Sequence, residues 1–187
     1  MLKYNECDTL NNPVAISNAN CVKLLDDIIF KDDDSLLKPG NLFQNNNVID
    51  LDNVEINLAK LERRQQNKTM DCAFLVTNKI SLTPFRLNNN LNFRGVIFER
   101  VYSNVQLVEL RLNFENAKQV KQKDLQKKID GSIRIFTPYN LSVRHLYIFV
   151  FKSSFLQQMR RRMRNMNPSW RREYKVMHLA ELKATYF

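Results

Sequence analysis

Two carboxylic acids stand on strand-like segments of this sequence. Asp71 opens the apolar run 71–76, and Glu109 lies inside the run 105–112, in Val108-Glu109-Leu110-Arg111. Two carboxylates on adjoining strands, with the carbonyl of Leu110, are hard oxygen ligands suited to Mg2+ or Mn2+. A cation held there lowers the pKa of a bound water and polarises a phosphate ester. The plainer use of the same acids is structural. Asp71 then caps a strand end, and Glu109 pairs with Arg111 or with Arg100 of a neighbouring strand.

A second group is basic. Arg160, Arg161, Arg162 and Arg164 fall on a helical pattern whose apolar stripe is Met159, Met163 and Met166. Trp170, Arg171 and Arg172 follow. Guanidinium groups with one stackable aromatic ring suit a nucleic-acid backbone and its bases, and equally make a solvated helix face. His145 and His178 lie in apolar segments and read as packed residues.

The elements that must position these groups follow from periodicity. Residues 1–20 are polar and read as an irregular arm, 21–30 as a short helix, and 31–47 as a solvated loop carrying Asp32, Asp33 and Asp34. A helix opens at Asp52, with Glu55 at capping-box spacing and Leu51, Val54, Leu58 and Leu61 on one face, and ends near Asn67. Strands are expected at 71–76, 79–85 (with Pro84 at an edge), 96–102 and 105–112, and a turn at 88–90. A helix over 117–130 turns Val120, Leu125 and Ile129 inward and stops at Gly131. The apolar run 145–151 reads as a buried strand. Ser154 and Gln157 have capping-box spacing before a helix over 155–166. A last strand lies within 172–185, and Glu181-Leu182-Lys183 is its exposed end.

Asp71, then Glu109-Leu110-Arg111 on a later strand, then a helix and a buried strand, resembles the PD-(D/E)xK nuclease-like superfamily. The resemblance covers roughly residues 52–151. It implies an α/β restriction-endonuclease-like αβββαβ core with a mixed sheet, an N-terminal extension over 1–47 and a core over 48–187 that ends in the basic helix and strand. It implies Asp71 and Glu109 as metal ligands, Mg2+ or Mn2+ as cofactor, and phosphodiester cleavage. Arg111 stands where the family has lysine. Arginine stays protonated and is no base, though its fork can hold a phosphate. Gln122, Lys123, Gln126 and Lys127 sit on the helix where members also carry Gln or Lys. Lys123 or Lys127 would then take the missing lysine's role. The change also suits a member that keeps the scaffold without catalysis, such as an immunity or antitoxin-type inhibitor.

Whole-chain properties bound these readings. The 187 residues suffice for one substantial core. Net charge is +10, split between −5 over residues 1–60 (5 Lys; 10 Asp and Glu) and +15 over the rest (24 Lys and Arg; 9 Asp and Glu). That asymmetry points to a polyanionic partner, nucleic acid first, and leaves room for an acidic protein. No run approaches the roughly 20 apolar residues of a membrane span. Three cysteines without a CxxC pair, and no secretory leader, give the expectation of a reducing compartment, the cytoplasm.

Overall fold

The computed structural model describes residues 2–33, 42–82, 98–114, 116–166 and 173–187. In chain order the elements are β1 (Lys3–Tyr4), α1 (Glu6–Asn11), α2 (Pro13–Ser17), β2 (Val22–Leu24), α3 (Leu25–Asp32), β3 (Asn47–Asp50) and α4 (Leu51–Leu61). They continue with β4 (Cys72–Leu82), β5 (Phe98–Arg111), α5 (Gln122–Phe136), β6 (Leu146–Phe151), α6 (Leu156–Asn165), β7 (Glu173–Met177) and α7 (Leu179–Tyr186).

The chain is an α/β protein with a mixed sheet. Its strand order is β2-β3-β4-β5-β6-β7, and β1 pairs with β4. The β2–β3, β3–β4 and β4–β5 pairs are antiparallel, whereas β5, β6 and β7 run parallel. The parallel strands are joined through α5 and α6.

Side chains alternate across the strands, so each face collects its own helices. Ile49, Ala73, Leu75, Leu107 and Phe149 pack with residues of α2, α4, α5 and α6. Val48, Cys72, Phe74, Val108 and Ile148 pack with residues of α3 and α7. Burial on both faces is why the runs 72–76 and 147–151 are apolar without a polar alternate.

Several expected elements are arranged differently. The strands read at 71–76 and 79–85 are one continuous β4, and those at 96–102 and 105–112 are one β5. Pro84 and residues 88–90 lie outside the described residues. The arm of residues 1–20 forms β1, α1 and α2. Its backbone pairs Lys3 with Thr77 and Tyr4 with Val76, and Val14 and Ala15 join the core. Residues 22–24 are strand, with the helix following them.

Asp50, two residues earlier than expected, caps α4 by accepting from the Asn53 N–H at 3.0 Å. Glu55 is used elsewhere: its carboxylate accepts from Arg64 and from the Asn67 N–H. The helix ends at Leu61, which is exposed. No side-chain cap closes the start of α6. The last segment divides into β7 and α7, so Glu181, Leu182 and Lys183 are helical. Of the three acids expected on a solvated loop, Asp32 is half-buried, Asp33 is buried and Asp34 lies outside the described residues. Asp32 accepts from the Leu112 N–H at 2.7 Å, and Asp33 pairs with Lys152 at 2.6 Å.

The helix α5 runs straight through Gly131, because Ser132, Ile135 and Phe136 continue its buried stripe. Glycine is required there by close packing. A Cβ at Gly131 would lie 2.1 Å from the Lys68 carbonyl oxygen. Ser132 completes the dock: its Oγ accepts from the Met70 N–H at 2.8 Å and donates to the Lys128 carbonyl at 2.9 Å. Residues 131 and 132 thus fix α5 against the segment leading into β4, one turn beyond Lys128.

Candidate functional site

The β4–β5 register pairs Cys72 with Val108, which carries Asp71 opposite Glu109. Directly opposed residues of an antiparallel pair share a face. The parity of Leu107 puts that face under α4, α5 and α6. Both expected acids therefore meet at the carboxyl ends of the parallel strands, where ligands of α/β sheets commonly bind.

Between them stands Lys128 of α5. Its Nζ lies 2.7 Å and 3.0 Å from the two Glu109 oxygens and 3.6 Å from Asp71 Oδ1. Glu109 is fully buried. Arg111 places its Nε 2.7 Å from Glu109 Oε1 and its guanidinium over the Phe114 ring at 5.7 Å. The Leu110 N–H donates to Asp71 Oδ2 at 2.5 Å. One buried carboxylate is thus flanked by two cations, with a second carboxylate on the far side of the lysine.

Burial raises the Asp71 pKa to about 6, partly opposed by Lys128 and the Leu110 N–H. Burial also raises that of Glu109 well above the carboxylate range, and the Asp71 charge adds to it, while Lys128 and Arg111 act the other way. For Lys128, burial disfavours the charged form, but Glu109 and Asp71 outweigh it and the pKa is raised.

Asp71 also borders a cavity of about 110 Å³ at the strand ends, lined in part by Asp32, Asp50, Asp52 and Leu110. These aspartates have structural partners. Asp32 holds Leu112, Asp50 caps α4, and Asp52 accepts from Thr69 Oγ1 at 2.6 Å.

The donor set does not fit a divalent cation shared by Asp71 and Glu109. Both Glu109 oxygens are engaged by cationic side chains, and an ammonium lies where the two carboxylates converge. Among the described residues no group of three or more His, Cys, Asp or Glu side chains is arranged to hold a metal.

Lys123 and Lys127 are exposed on the outer side of α5, so neither reaches the pair. Each helical residue turns about 100°, and Lys128 is the position that leads onto the stripe of Leu125, Ile129 and Ser132. That stripe was the available signal for Lys128, which sequence reading passed over.

On α6 the four arginines divide. Arg160 binds the Glu181 carboxylate at 2.6 and 2.8 Å. Arg162 donates to the carbonyls of Lys118 and Val120 at 3.1 and 2.7 Å, tying α6 to the segment just before α5. Arg161 and Arg164 are exposed. Met159 and Met163 are buried, as the stripe required. Trp170, Arg171 and Arg172 lie outside the described residues. His145 is exposed instead of packed. His178 caps α7, its Nδ1 accepting from the Ala180 N–H at 3.2 Å.

No helix among the described residues is long and apolar enough to cross a membrane. No family model, curated protein or solved structure matches the chain.

Proposed function

We propose that this protein binds nucleic acid through a basic surface formed by α5 and α6, on a nuclease-like scaffold whose carboxylate centre serves structure. One observation carries this reading. Lys123 and Lys127 on α5, Arg161 and Arg164 on α6, and Lys118 and Lys121 in the segment before α5 are all exposed, and Arg162 ties α6 to that segment. Clustered cations on one surface gain affinity for a polyanion by releasing its counterions. Of the two acids on α5, Asp124 is already paired with Lys68 at 3.1 Å and Asp130 accepts from Gln126 at 2.7 Å. The lysines first considered for catalysis thus belong to the contact surface.

Cleavage through a metal bound by Asp71 and Glu109 is not part of this reading, because Lys128 and Arg111 engage Glu109. The test is retardation of labelled DNA and RNA at low salt. Wild type is expected to bind, and Arg161→Ala/Arg164→Ala to bind markedly less. Arg160→Ala, which removes a residue already paired with Glu181, should have the smaller effect. Absence of binding to either probe at low salt would redirect the basic surface to an acidic protein partner.

A further inference from the structure

We infer that the Lys128 ammonium is a built-in replacement for a divalent cation at the Asp71–Glu109 pair, and that removing it opens a site for such a cation. The inference goes beyond nucleic-acid binding and is tested separately from it. Two acids placed opposite each other on antiparallel strands repel when both are ionised, unless a cation lies between them. A divalent ion or a fixed ammonium meets that need. The Lys128 Nζ contacts both Glu109 oxygens and lies 3.6 Å from Asp71 Oδ1.

The helix delivers this ammonium rigidly. Gly131 packs on the Lys68 carbonyl, and Ser132 bonds both the Met70 N–H and the Lys128 carbonyl. The lysine is therefore held by a docked helix. Arg111, braced on Phe114, supplies a second positive charge to Glu109. Free metal must displace an intramolecular charge that is already in place, which needs no association from solution. Without Lys128, Asp71 Oδ1 and Glu109 Oε2 become two unpaired hard-oxygen donors on one face, an arrangement that recruits Mg2+ or Mn2+.

The full chain is titrated with MnCl2, with free Mn2+ followed by electron paramagnetic resonance and melting by calorimetry. Wild type is expected to bind no Mn2+ at this pair and to keep its Tm within about 1 °C at about 1 mM MnCl2. Lys128→Met should melt lower than wild type without metal and recover roughly 5 °C in the same MnCl2. Adding Asp71→Asn to Lys128→Met should abolish the recovery. Lys128→Arg retains a cation and should stay indifferent to Mn2+. The inference is overturned by wild-type Mn2+ binding that both Asp71→Asn and Glu109→Gln abolish. It is overturned equally by a folded Lys128→Met that gains no Mn2+ response. If Lys128→Met does not fold, the wild-type titration still decides. Loss of nucleic-acid binding by the parent protein leaves these outcomes unchanged.

Discussion

Glu109 is the residue on which the centre turns. Its carboxyl group is fully buried and faces both Lys128 and Arg111, whose charges oppose the upward pKa shift that burial imposes. Glu109→Gln leaves two partly buried cations without their anion and should cost about 3 kcal/mol. That is a Tm loss of roughly 6–12 °C, read by calorimetry. A carboxylate waiting for metal beside Asp71 would show the opposite sign, because its removal relieves like-charge repulsion. Asp71 carries a second expectation, in pH. Its folded pKa, about 6, lies above its unfolded value of 3.8, so the folded state binds the extra proton. Stability should therefore rise as pH falls through about 6 towards about 4, and Asp71→Asn should flatten that part of a Tm–pH profile. Sequence was informative at this scale for Asp71, Glu109 and Arg111, because a charge inside an apolar strand is conspicuous. Lys128 was hidden among Lys121, Lys123 and Lys127, and one residue of helical register decides which of them turns inward.

The element that positions the centre is α5. Its contact with residues 67–70 leaves no room for a side chain at 131. Gly131→Ala should push the helix off the Lys68 backbone and lower stability by about 2 kcal/mol, measured by urea unfolding, despite the better helix propensity of alanine. A neutral or stabilising effect would mean that this contact does not set the position of Lys128. Glycine after Ile129 resembles a helix stop in sequence, and only the neighbouring backbone explains why the helix continues. The same limit applies elsewhere. The first half of β4, residues 72–76, and the parallel strand β6 were legible because burial on both faces leaves an unbroken apolar run. β1 and β2 were not, because Lys3-Tyr4 and Val22-Lys23-Leu24 are too short for a period-2 signal and owe their conformation to distant partners in β4 and β3.

At the scale of the whole molecule, charge is segregated along the chain. The acidic first 60 residues build β1 to β3 and α1 to α4, with Asp50 at a strand end, while exposed cations lie on α5, on α6 and on the segment just before α5. The charge imbalance was legible from composition. The division of the α6 arginines between internal bonds and open surface was not, since Glu181 and the carbonyls of residues 118 and 120 are distant in sequence. The most direct test of nucleic-acid binding by this surface is the salt dependence of affinity, followed by fluorescence anisotropy on a labelled DNA duplex and an RNA strand. Wild type should lose affinity steeply as salt rises, and Arg161→Ala/Arg164→Ala should reduce the slope of log K against log salt by about 1.5. An unchanged slope in the double variant, or no wild-type binding at about 50 mM salt, would contradict it.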